Sequence, residues 1–148
     1  MLRAIGLALC LAIPAAARAQ EPGEIETLLA DELLNQGGEI AAWYFLPDAE
    51  DPAAASEALG VIYEEIQGAA GNTMIAVGHF VRGGERFALA GRVAEVFGQE
   101  PRDAAFLADR IEVTTTMPKP DDPRCCPTGA SRWIIDRATL TAVEQPLN

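Results

Sequence analysis

The chain has 148 residues, 49% hydrophobic and 22% charged, with 22 acidic side chains against 11 basic ones. That composition fits a single globular domain and excludes low-complexity and coiled-coil architectures. A net charge of −11 with one lysine, Lys119, denies the chain the basic surface that nucleic acid and anionic membranes require.

The N-terminus reads as a secretory signal. Arg3 supplies the positive region, Ile5 to Ile13 the apolar core, and Pro14 a break before Ala17-Arg18-Ala19, a small-x-small cleavage site. Nine apolar residues make roughly 14 Å of helix, less than half a bilayer, so no anchor is expected from this segment. Cys10 does not make a lipoprotein signal, because Leu9 stands where a small residue is needed. Cleavage is expected between Ala19 and Gln20, leaving residues 20–148 as one periplasmic or secreted domain without a membrane anchor.

The next elements divide by apolar period. Between Glu24 and Asn35, the apolar residues Ile25, Leu28, Leu29 and Leu33 share one helical face, and Gly37-Gly38 stops the helix. Ile40 to Leu46 is a short aromatic-rich run that predicts a buried strand. Asp51-Pro52 offers an N-cap followed by proline at the first helical position, so a second helix is expected over Pro52–Gln67. Ala55, Leu59, Ile62 and Ile66 would form its buried face, with Gly60 a weakness in its middle.

From Thr73 the period changes to two. A strand to Arg82 meets a hairpin signal at Gly83-Gly84, and the return strand places Phe87, Leu89, Gly91 and Val93 on one face. Gly98 to Asp103 reads as a turn and Ala105 to Met117 as one strand, with Leu107, Ile111, Val113 and Met117 on its apolar side. A proline-rich loop from Pro118 to Gly129 precedes a small hairpin, Arg132–Asp136 and Thr139–Val143, built around Trp133, Ile135 and Leu140; Gln145 to Asn148 should fray. The expectation is an α+β domain: one antiparallel β-meander of five to six strands, with two helices packed on one face.

Little in the chain carries catalysis. Its one histidine, His79, sits mid-strand and reads as a partly buried sheet residue, and neither Ser56 nor Ser131 lies in a nucleophile elbow. No glycine-rich phosphate loop occurs, and Asp48-Ala49-Glu50-Asp51 lacks the spacing of a calcium loop. The chain is therefore read as a non-enzyme without a cofactor.

One run stands apart: Asp121-Asp122-Pro123-Arg124-Cys125-Cys126-Pro127-Thr128. Once the signal is removed, Cys125 and Cys126 are the only cysteines, and they are adjacent. In an oxidising compartment they pair with each other, pair with another molecule, stay free, or bind a metal. A bridge between neighbours is awkward, because Cα atoms about 3.8 Å apart fall short of the roughly 4.4–6.8 Å that disulfides favour. Its effect would be local stiffening of a turn that Pro123 and Pro127 already restrict. A vicinal disulfide is the leading reading; the alternative is a thiol-based soft-metal (copper) or redox factor, for which no histidine or methionine stands close by. Arg124 and Arg132 flank the cysteines and offer charge to an anion. The candidate binding loop is Asp121, Asp122, Pro123, Arg124, Pro127 and Thr128, with Arg132 and Trp133 just beyond.

From Phe106 to Ala142, a threonine-rich strand, Asp122-Pro123-Arg124-Cys125-Cys126-Pro127-Thr128 and a tryptophan-bearing hairpin follow one another. This segment resembles a D-P-x-C-C-P-[ST] strand-loop-strand element of uncharacterised bacterial secreted or periplasmic proteins. The resemblance implies an exported envelope protein and brings no activity with it. The resulting expectation is a non-catalytic exported domain that binds a protein or small ligand.

Overall fold

The computed structural model describes residues 22–35, 37–47, 51–66, 68, 73–123 and 126–147. The expected signal segment and cleavage site lie outside them. Helix α1 spans Pro22–Leu33, with Glu24 in its first turn, where a carboxylate suits the positive helix end. Its buried stripe is Ile25, Leu29 and Leu33, at the four-residue spacing the sequence shows.

The rest is β. Strands β1 (Glu39–Phe45), β2 (Glu57–Glu65), β3 (Thr73–Gly83) and β4 (Arg86–Val93) form one antiparallel sheet in sequence order. A second sheet is built the same way from β5 (Gln99–Phe106), β6 (Arg110–Met117), β7 (Gly129–Asp136) and β8 (Ala142–Leu147). The expected α+β meander of five to six strands under two helices is thus replaced by eight strands in two four-stranded sheets with one helix. Among the described residues, no helix is long and apolar enough to cross a membrane.

The largest correction concerns Pro52–Gln67. Asp51 does cap a turn there, accepting a hydrogen bond from the Ala53 N–H at 2.9 Å, but only one turn forms before β2 begins. From Ala58 to Glu64 every residue of β2 is buried. Leu59, Val61 and Tyr63 face the second sheet, joining Val77, Ile111, Val113, Trp133 and Ile135 in the core between the sheets. Ala58 and Ile62 face the other way, joining α1, Phe80 and Phe87. A strand apolar on both faces has no period of two, and its run was open to a helical reading.

Gly60 explains the close seat of the helix. It pairs with Gly78 on β3, and a Cβ at Gly60 would lie 2.2 Å from Leu29 Cδ2 and 2.8 Å from Phe80 Cε2. The paired glycines leave a trough into which Leu29 and Leu33 fit. Below α1, the buried Glu64 accepts hydrogen bonds from the Asn35 backbone N–H (2.8 Å) and Asn35 Nδ2 (2.6 Å), tying down the chain as it leaves the helix.

Smaller differences have equally local causes. β1 lies at the sheet edge with Ile40 57% exposed, so it is not the buried strand expected. The β3–β4 loop is Gly84-Glu85, one residue later than the Gly83-Gly84 signal, with Gly84 at φ 69°. A register shift at His79/Phe80 reverses β4's alternation, leaving Phe87 and Leu89 on the helix side and Val93 between the sheets. The expected turn from Gly98 to Asp103 is instead the start of β5, a strand with two register shifts and positive φ at Glu100 and Asp103. Leu107 to Asp109 turn the chain inside what read as one strand. β8 stays paired up to Leu147, so the chain end expected to fray is part of the sheet.

Charge also ties the two sheets together. Arg137, just after β7, donates to both Glu57 carboxylate oxygens at 2.7 and 2.9 Å, while His79 Nε2 lies 2.7 Å from Glu57 Oε2. Burial pushes the Glu57 pKa up, but the hydrogen bonds from Arg137 and His79 outweigh it and hold the carboxyl below its ordinary 4.5. Its contribution to stability is therefore present above pH 4.5 and lost as pH falls through the depressed value.

Two expectations follow. Gly60→Ala should destabilise the fold by about 1–3 kcal/mol, because its methyl group collides with Leu29 and Phe80; urea denaturation measures it, and an unchanged midpoint would refute the trough. Arg137→Ala should cost about 1.5–3 kcal/mol at neutral pH, the range for hydrogen bonds to charged groups. That gap should close as the solution is acidified through the carboxylate range, which pH-dependent denaturation reads directly.

Candidate functional site at the β6–β7 loop

The loop from Pro118 to Thr128 connects two central strands and is closed at its base by one side chain. Asp122 Oδ2 accepts the backbone N–H groups of Lys119 (2.8 Å) and Thr128 (2.6 Å), and Oδ1 accepts the Thr128 hydroxyl at 2.8 Å. The backbone N–H of Lys119 first, then that of Thr128, hold the Asp122 carboxyl below its usual range. Two turns complete the path, Asp122 N–H to Lys119 O at 3.1 Å and Cys126 N–H to Pro123 O at 3.0 Å. Prolines at 118, 120, 123 and 127 restrict the backbone between these ties.

A concave space opens on each side of that base. One, about 300 Å³, is lined by Thr73 of the first sheet, by Phe97, Gly98, Thr116 and Met117 of the second half, and by Pro127 of the loop. The other, about 570 Å³, lies between Lys119, Pro120, Ala130, Ser131, Glu144 and Pro146. Met117 and Pro118 line both.

The floor of the smaller cleft is fixed by a chain of hydrogen bonds that crosses the sandwich. Tyr63 on β2 donates its hydroxyl to Gly98 O at 2.6 Å. Thr115 on β6 donates to Phe97 O at 2.7 Å and accepts Trp133 Nε1 at 2.7 Å. Gly98 has φ 102°, and a Cβ there would meet Thr115 Oγ1 at 2.4 Å, so this bend requires glycine. Burial, and secondarily the charge of Glu100, push the Tyr63 pKa up to about 12, so its hydroxyl keeps the donated proton.

The residues singled out from sequence divide among three places. Asp121, Asp122, Pro123, Cys126, Pro127 and Thr128 belong to the loop, whereas Arg124 and Cys125 lie outside the described residues. Cys126 is exposed and engaged rather than free. Trp133 is buried between the sheets with its ring edge-on to Phe97, and Arg132 points to the outer face of the second sheet, 3.6 Å from Glu112. Neither joins the loop surface. Phe97, Met117 and Ala130, which do line the clefts, were not singled out; no local pattern marks them, because the third dimension brings them together. Among the described residues, no three His, Cys, Asp or Glu side chains gather to hold a metal ion.

Compared with protein families, curated proteins and solved structures, the chain matches none of them. The site is therefore read from its own geometry.

Asp122→Ala should leave the Lys119 and Thr128 N–H groups without their acceptor. Their amide exchange should rise while that of β6 and β7 stays slow. Because the Asp122 pKa is lowered in the fold, the same loosening should occur in the unaltered protein only below about pH 3.8, as the carboxylate is protonated. Equal exchange in variant and parent would remove Asp122 from its role.

Proposed function

We propose that the chain is a non-catalytic exported domain that binds a protein segment or small ligand in the two clefts at the base of the β6–β7 loop. The observation that supports this most directly is the loop base, tied by Asp122 and standing between two concave spaces of about 300 and 570 Å³. Those sizes fall within the roughly 300–1,000 Å³ of small-molecule sites. Phe97, Met117 and the prolines at 118, 120, 127 and 146 supply apolar surface, and Thr73, Thr116, Ser131 and Glu144 supply polar groups to orient what enters. A surface held in one conformation before binding loses little entropy when it is occupied. In this reading Cys125 and Cys126 bridge each other and stiffen the tip; the export itself rests on the N-terminal segment.

Isotope-labelled protein screened by NMR against a library of aromatic and proline-containing fragments tests the proposal. Shift changes should gather on Phe97, Met117, Lys119 and Ala130, and Ala130→Phe, which fills the larger cleft, should weaken fragments bound there at least about tenfold. Changes gathered on another surface, or unaffected by Ala130→Phe when they map to the larger cleft, would overturn it.

A further inference from the structure

The two sheets present four edge strands, and unpaired edges invite association unless something blocks them. β5 carries Pro101, a register shift on each side of Arg102 and the charged residues Glu100 and Asp103. β8 has Pro146 and Glu144 within six residues. β4 carries Arg86 and Arg92, and at its end the Ala94 N–H bonds to Leu140 O at 2.9 Å while Ala94 O accepts the Ala142 N–H at 3.1 Å. β1, Glu-Ile-Ala-Ala-Trp-Tyr-Phe, has no proline, no basic residue and one charge, at its first position, and its single register shift lies at its start, between Glu39 and Ala41, leaving Ala41 to Phe45 regular. It pairs with β2 alone, and Ile40 and Trp43 remain 57% and 36% exposed.

We propose that β1 pairs with β1 of a second copy of this chain, antiparallel across a two-fold axis at Ala42. Such an axis demands that the strand complement itself, and this strand does. Beyond the register shift at Glu39/Ala41, residue 41 faces 43 of the other copy, so the small Ala41 meets Trp43 on the face toward the second sheet. Large opposes small on the face where Trp43 projects, and Ala42 opposes its own copy at the axis, leaving room for the bulky neighbours.

Charge selects the same arrangement. Antiparallel pairing puts the two Glu39 carboxylates at opposite ends of a seven-residue seam, about 20 Å apart, well beyond the screening length of about 8 Å at physiological salt. A parallel pairing in register would set them side by side. The product is a continuous eight-stranded sheet with one helix from each copy on the same face.

Light scattering on eluting protein and sedimentation over the micromolar to submillimolar range test this. A concentration-dependent dimer is expected. Ile40→Lys, which places a charge on an already exposed edge position, should weaken it about tenfold or more while leaving the fold intact by circular dichroism. Val81→Lys, which adds the same charge at an exposed position on a central strand, should leave the dimer unchanged. Ala42→Pro should abolish it, and if that variant does not fold, Ile40→Lys decides alone. A protein monomeric throughout the range, or a dimer indifferent to Ile40→Lys, would overturn the proposal.

Discussion

Burial of β2 on both faces is the constraint from which the rest of the architecture follows. A central strand with Leu59, Val61 and Tyr63 on one side and Ala58 and Ile62 on the other cannot be satisfied by one layer. The second sheet covers one face and α1 the other, so the molecule has three layers where the sequence suggested two. The strand's own composition sets how close each layer comes. Toward the second sheet, branched and aromatic side chains hold the sheets apart and fill the gap. Toward the helix, Gly60 and its partner Gly78 remove side chains where Leu29 and Leu33 descend.

Apolar packing alone does not fix how two sheets sit, because it is nearly indifferent to small slides. Polar ties supply that restraint here. Glu57 with Arg137 and His79 joins the beginning of β2 to the turn after β7, and Tyr63 with Gly98 joins its far end to the bend before β5. The ties lie at opposite ends of one strand, so they resist both sliding and rotation. Each donor is matched with an acceptor, and among the described residues no buried side-chain polar atom lacks a partner. Asp122 and Asp136 repeat one device in two turns, each accepting two backbone N–H groups and a threonine hydroxyl.

The parts of this fold legible in the sequence are those with one buried face or strong punctuation. α1 showed its stripe because only that stripe is covered. The β6–β7 loop showed its start because Pro118 and the aspartates cannot continue a central strand, whereas its end falls at Gly129, where β7 begins three residues before the strand expected from Arg132. β2 reads as a helix for the opposite reason: a run covered on both sides keeps no period, and Asp51-Pro52 caps a single turn that does not go on into a helix. β5 was missed because Pro101 and the positive φ of Glu100 and Asp103 give it turn chemistry within a strand. Half of the candidate site was legible, since the loop announces itself. Phe97, Gly98 and Thr115 were not, because their relation to Tyr63 and Trp133 exists only after the sheets close.

Tyr63 connects the β1 edge with the floor of the smaller cleft. Its ring meets Trp43 of the β1 edge at 5.3 Å, edge to face, and its hydroxyl holds Gly98 in the floor of the cleft. A strand added beside β1 would press on Trp43, and Trp43 presses on Tyr63; a ligand in the cleft touches Gly98 from the other side. Because burial raises the Tyr63 pKa to about 12, that link keeps its proton at every pH a living cell or its surroundings impose. Titration acts elsewhere in the molecule. Glu57, Asp122 and Asp136 all have carboxyl groups held below their ordinary range, so each loses its charge only in acid, and the inter-sheet tie and both aspartate-closed turns weaken on the same side of the pH scale. Acid therefore loosens the cleft through the loop and the sandwich through Glu57, while the contact between β1 and the cleft floor stays as it was.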